Sequence, residues 1–259
     1  MQSFPRWVLA PATVGVAVLA VPLVGLLASA NWAALPSLLT SPRALDALRL
    51  SLMTCVISTL IVLVVGVPLA LILARSEGWW CTVVRTLVMV PMVLPPVVAG
   101  LALLTTFGRR GWLGQALEVA GIQVGFTTVA VVMAQTFVAL PYLVTSLEGA
   151  LRARGDEFDA VSASLGASPS RTLWRVTLPL MRPAILSGTA LSFARALGEF
   201  GATLTFAGSL QGVTRTLPLE IYLLREQDAD VAIALSVVLI GIALLVVCVA
   251  GATGRAGRR

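Results

Sequence analysis

Long apolar stretches without one charged side chain dominate the chain, at 7–30, 50–74, 86–108, 119–147 and 231–254. Each reaches or exceeds the roughly 20 residues an α-helix needs to cross a bilayer. A further stretch, 183–207, is equally apolar apart from Arg195 and Glu199. These are unbroken runs instead of one-sided helical stripes, so they predict an all-α polytopic membrane helical bundle of about six transmembrane helices. The spans fall near 7–30, 50–74, 86–107, 126–147, 183–207 and 231–251, in a single transmembrane domain over 1–259. The first run follows Arg6 and ends on Ala28-Ser29-Ala30, like a cleavable leader. It is longer than the roughly 7–15 apolar residues of a secretory core and contains Pro11 and Pro22, which favours a retained span. In the third span Pro91, Pro95 and Pro96 each remove a backbone donor, so that helix must kink or begin late. Two readings stand there: a tolerated entry bend, or a broken helix lining a pathway.

Composition adds exclusions. Of 259 residues 58% are hydrophobic and 12% charged, against about 25% charged in an ordinary soluble domain, and the mean hydropathy is +0.96. The 18 basic residues are all arginine, set against 12 acids for a net charge of +6. Without lysine there is no P-loop cation for a nucleotide's phosphates, and without histidine the commonest general base and metal ligand is missing. Cys55, Cys81 and Cys248 are far apart, which fits small apolar fillers and neither a disulfide framework nor a metal cluster. With a cytoplasmic N-terminus, Arg43, Arg49, Arg109, Arg110, Arg215 and Arg225 lie outside, Arg195 lies within a span, and the other arginines lie inside. That bias places both termini in the cytoplasm.

The longest inner connection, 148–182, carries the most local signal. Asp156 can cap a short helix with Asp159 as the acid of a capping box. Phe158, Val161 and Leu165 then recur at i, i+3 and i+7, a narrow apolar face outside the membrane. Gly166 supplies a stop, and Ser168-Pro169 restart a helix as N-cap and first residue. The face is either a docking surface or folds back on the inner ends of the spans.

Residues Asp159 to Gly166, followed nine residues later by Val176-Thr177-Leu178-Pro179, resemble the EAA loop of permease subunits of bacterial ABC importers. The acid is aspartate here, and Val161 and Ser162 replace alanines. The resemblance implies a cytoplasmic coupling helix seated in a cleft of a separate ATPase, with Asp156, Phe158, Asp159, Ala160, Val161, Leu165, Gly166, Ala167, Ser168 and Pro169 as coupling residues. Pro91 to Gly100 with Phe107-Gly108-Arg109-Arg110-Gly111, and Phe193 to Thr203 with Thr216-Leu217-Pro218-Leu219, are similar to signatures of the molybdate/sulfate oxyanion permeases, closest to the molybdate subunit. This implies molybdate (or tungstate) import across the bacterial inner membrane by alternating access. The expected partners are a second permease copy, two ATPase subunits carrying ATP-Mg and an extracytoplasmic oxyanion-binding protein. No catalytic residue, metal or cofactor is expected in this chain, and no nucleic-acid partner. A sulfate or thiosulfate permease subunit is the alternative, then an ATP-independent anion transporter or channel.

Arg195 and Glu199 have a physical claim of their own, since a charge at mid-span costs about 2.5–3.5 kcal/mol on insertion scales unless it faces a partner or water. They are four apart, in the less favourable order for a local pair, which leaves room for partners on other helices. They are either a packing strut or an anion's waystation. Pro95, Pro96, Thr189, Ser192 and Thr203 complete the candidate pathway, with hydroxyls also routine at helix interfaces. The last outer loop, with Glu220, Glu226, Asp228 and Asp230 beside Arg215 and Arg225, reads as a solvated charged surface.

Overall fold

A computed structural model describes residues 5–155 and 157–256, with no strand among them. The helices in order are α1 (Leu9–Ala28), α2 (Leu35–Leu39), α3 (Pro42–Arg75), α4 (Trp79–Val93), α5 (Pro96–Phe107), α6 (Gly114–Val119) and α7 (Thr128–Arg154). They are followed by α8 (Glu157–Ser164), α9 (Pro169–Thr172), α10 (Leu178–Leu197), α11 (Gly201–Ala207), α12 (Leu217–Leu224) and α13 (Ala229–Ala256). Helices α1, α3, α7 and α13 are long and apolar enough to cross a membrane, and α4 with α5, bent by 116°, counts as a fifth where the pair is taken as one span. The 20 residues of α10, with Arg182 and Arg195, pack among α7, α13 and α3.

The bundle inverts the distribution of a soluble protein. On α3 the inward face is Ala47, Ser51, Cys55, Ser58, Val62, Gly66, Ala70 and Leu73, at helical spacing. The outward face carries exposed Val56, Ile57, Leu60, Ile61, Val64 and Val65. Small inward residues let backbones approach where lipid offers no hydrophobic drive to associate. A methyl group on Gly188 of α10 would sit 2.9 Å from a Leu143 methyl carbon and 3.4 Å from Leu143 Cα of α7, so the glycine permits a close approach of that helix pair. Helix α1 buries none of its residues.

Several spans depart from the sequence expectation: α4 starts at Trp79 and α7 runs on to Arg154, and two further departures have a local cause. Helix α3 starts eight residues before the uncharged run, because Ser41 Oγ accepts from Ala44 N at 3.3 Å and Pro42 opens the helix. At 1.5 Å per residue its 34 residues reach about 51 Å, against about 30 Å of hydrocarbon, so Arg43, Asp46 and Arg49 can stand clear of lipid. The region read as one span at 183–207 is broken: α10 ends at Gly198, and α11 begins at Gly201. Helix α10 also starts inside the expected loop, because a π-wound turn, Leu173–Thr177, runs from α9 directly into it.

Candidate coupling and translocation sites

The loop at 148–182 is built by local caps. Gly166 takes φ +77°, with its N–H on Ala163 O at 2.9 Å and Ala167 N–H on Ser162 O at 3.0 Å. This is a left-handed helix end that glycine adopts without a Cβ clash. Ser168 Oγ then accepts from Arg171 N at 3.4 Å, with Pro169 in the first turn of α9. The expected cap at Asp156 lies outside the described residues. Phe158, Val161 and Leu165 are 49%, 59% and 81% exposed, so the apolar face of α8 does not fold back onto the spans. Leu165 falls one residue past the helix. Ala160 is exposed with them, and Ala167 is half-buried.

Spacing puts Asp159 in the first turn as a capping acid, whereas its carboxylate reaches across the loop. It pairs with the Arg75 guanidinium at the end of α3 and accepts from Thr177 Oγ1 at 3.1 Å, while Arg75 also donates to Thr177 at 3.3 Å. The three groups tie α3, α8 and the root of α10 together. Alongside, Glu148 is buried on α7 and meets Arg85 at 2.7 Å and Arg152 at 3.2 Å. Both arginines also donate to Leu73 O at 3.2 Å. Charge-assisted hydrogen bonds to carboxylates are roughly twice as strong as neutral ones, so at this end of the bundle ion pairs add to the apolar cluster of Leu73, Leu147, Leu151 and Met181.

The second site lies where the two broken spans meet. A Cβ on Gly201 would lie 2.7 Å from Pro96 Cβ, and one on Gly100 would lie 2.7 Å from both Ala202 O and Thr205 Cβ. Helices α5 and α11 therefore touch backbone to backbone, with Pro95 and Pro96 at the head of one and Glu199 at the head of the other. Arg195 Nη1 lies 2.8 Å from Glu199 Oε2, and Glu199 Oε1 accepts from Ala202 N at 2.8 Å. The sequence order disfavoured this local pair, yet it forms. The i,i+4 rule assumes a continuous helix, and Glu199 lies beyond the Gly198 cap. Glu199 is 1% exposed and Arg195 26% at the side chain, so the cation is the accessible partner.

The candidate hydroxyls separate. Ser192 is fully buried and donates to Ala139 O of α7 at 3.0 Å, a helix-to-helix tie. Thr189 bonds Ile185 O at 2.7 Å and edges an apolar groove of about 390 Å³ with Leu186, Phe193 and Leu245. Thr203 is fully buried, and its hydroxyl has no partner. Among the described residues no three histidine, cysteine or acidic side chains converge on a metal position.

The family model described as a binding-protein-dependent transport system inner membrane component matches residues 66–254. The chain belongs to that family. It is 55% identical over 250 residues to the molybdenum transport system permease proteins ModB of Mycobacterium bovis and Mycobacterium tuberculosis, covering 96% of this chain and 95% of each relative. To the sulfate transport system permease protein CysT of Escherichia coli it is 33% identical over 235 residues, 90% of this chain and 85% of that one. In fold it is similar to a bacterial alginate ABC transporter chain solved with a pentasaccharide-bound periplasmic protein, with TM-score 0.73 at 18% identity over 96% and 94% of the two chains. A chain of the inward-facing MetNI methionine ABC transporter gives TM-score 0.64 at 18% identity, covering 83% and 96%. This permease is thus a multi-pass membrane protein of the oxyanion-permease kind that its motifs resemble.

Sequence reasoning missed three features of the two sites. Arg75, counted only towards topology, proves to be the partner of the loop's acid. Its position at the end of an apolar run, with acids clustered in the loop at 148–159, is the available signal. Thr177 was read only as the spacer before Leu178-Pro179. Glu220 was placed in a solvated loop, yet it is buried in α12 with Arg215 at 3.3 Å, whereas Arg225 and Glu226 pair in the open at 2.6 Å.

Proposed function

We propose that this permease imports molybdate, with tungstate as a chemically equivalent cargo, as one half of a permease dimer driven by a separate ATPase. The observation that carries the substrate is the 55% identity to molybdenum permeases over nearly the whole of both chains. Both termini lie in the cytoplasm, and an extracytoplasmic oxyanion-binding protein delivers the anion to the opposite face. ATP binding closes the ATPase pair and pulls on the exposed face of α8. The Arg75–Asp159–Thr177 tie passes that pull to α3 and α10, a rigid-body coupling of two distant sites. At the far end of α10 stands Arg195, whose accessible guanidinium attracts the dianion while buried Glu199 moderates the attraction. A waystation must bind weakly enough to release. Pro95 and Pro96 hold the neighbouring break, where unwound backbone is tolerable only against protein or a wet cavity.

The test is binding-protein-dependent uptake in proteoliposomes holding this chain and its ATPase, with labelled molybdate and sulfate at equal concentration. ATP-dependent molybdate entry that excess sulfate does not suppress is expected. Sulfate entry at an equal or greater rate would move the reading to the CysT-like alternative, and entry of neither anion would overturn it.

A further inference from the structure

A pocket of about 200 Å³ at the root of the coupling loop, lined by Arg75, Glu77, Arg152, Arg154, Asp159 and Thr177 among others, contains a guanidinium that is left unsatisfied among the described residues. Arg75 is matched by Asp159, and Arg152 by Glu148. Arg154 is different: its Nε and Nη2 are closed off from solvent, and neither has a hydrogen-bond partner. Its guanidinium carbon sits 4.7 Å above the Phe158 ring. An aromatic face attracts a cation but leaves in-plane donors unbonded. Glu77, exposed in the same pocket, makes no ion pair with it. Arg154 is half-buried, and donors shut off from water without an acceptor are costly, so a group held this way fits a partner that arrives from outside.

We propose that Arg154 receives a carboxylate of the cytoplasmic ATPase subunit, a deepening that rests on the coupling role proposed above. The wall of the site is Phe158, half exposed on the face shared with Val161 and Leu165. A protein that covers that face brings its own side chains to the guanidinium, whose planar fork matches a carboxylate. Arg171, Arg175 and Arg182 in the same segment also make no ion pair among the described residues, so the surface is complementary to an acidic partner.

The absence of lysine from the chain gives a clean experiment. Arg154→Lys introduces one side-chain amine, and a carbodiimide joins an amine only to a carboxylate already touching it. In the assembled complex in lipid nanodiscs, mass spectrometry is expected to find an amide between that amine and an aspartate or glutamate of the ATPase. Arg154→Gln is expected to weaken ATPase binding about tenfold and to flatten its salt dependence. An amide formed only with this chain's own Glu77 or Glu157, or no amide while the complex stays assembled, overturns the proposal. So does unchanged affinity in Arg154→Gln. If the wild-type permease fails to hold the ATPase at all, the coupling reading itself falls first.

Discussion

Neutralising each half of the Arg195–Glu199 pair separates a strut from a waystation, and the two halves are unequal. Glu199 is 1% exposed, with one further partner, Ala202 N; Arg195 keeps 26% of its side-chain surface open. Arg195→Met therefore strands a buried carboxylate, and breaking a buried pair from one side costs about 3–5 kcal/mol. Glu199→Gln keeps an oxygen for Ala202 N–H and leaves a guanidinium that can reach water, so its cost is about 1–3 kcal/mol. The double variant removes both charges and should recover most of the larger loss, a coupling of about 3 kcal/mol or more in a double-mutant cycle. Denaturant unfolding in mixed micelles reads the stabilities, and proteoliposome uptake reads transport. A double variant that regains stability but still transports poorly assigns the pair to the anion; recovery of both makes it a strut. If Glu199→Gln proves as damaging to stability as Arg195→Met, the asymmetry drawn from burial is wrong.

Further expectations test other parts of the fold. Gly100→Val should destabilise by at least the 1–3 kcal/mol usual for overpacking, since even a methyl there meets Ala202 O at 2.7 Å; a normal melting profile would show that α5 and α11 do not touch this closely. Thr203→Val removes a buried hydroxyl that has no partner and should leave stability unchanged or raise it by up to about 1 kcal/mol, so a marked loss would reveal an unseen bond. Asp159→Asn should leave the permease folded but lower uptake per ATP hydrolysed severalfold, read as the ratio of the two rates; an unchanged ratio would release the Arg75–Asp159–Thr177 tie from coupling. Gly166→Ala forces an L side chain to φ +77° and should cost about 1–2 kcal/mol locally, detected as faster hydrogen exchange over 157–169.

What the sequence disclosed follows from what lipid demands. Uncharged runs reveal helices because nothing else satisfies a backbone in hydrocarbon, so the bundle and the capped loop were legible. Helix ends were less so. The charges of Arg43, Asp46 and Arg49 look like a loop until Ser41 and Pro42 are seen to start α3 among them. The break at Gly198 was hidden for a related reason, since apolar composition continues through it, and only the Glu199 cap on Ala202 marks a new helix. Prolines at 91, 95 and 96 announced a disruption, yet Pro91 stays inside α4 and the bend falls at Leu94-Pro95. The partners of Arg75 and Glu220 depended on pairings over 84 and 5 residues, the first beyond the reach of any local pattern.

The bare contact of Gly100 with Ala202 also fixes how this end of the bundle can flex. With Ala99 and Leu103 of α5 also packed against Ala202 and Phe206 of α11, the two half-helices are expected to move as one wedge, with joints at 94–95 and 198–200, where the helical ladder is already interrupted. Under the proposed function, a push at the coupling loop would run up α10 as a lever and arrive at the second joint. Stiffening that joint would leave every docking partner bound and still arrest the stroke.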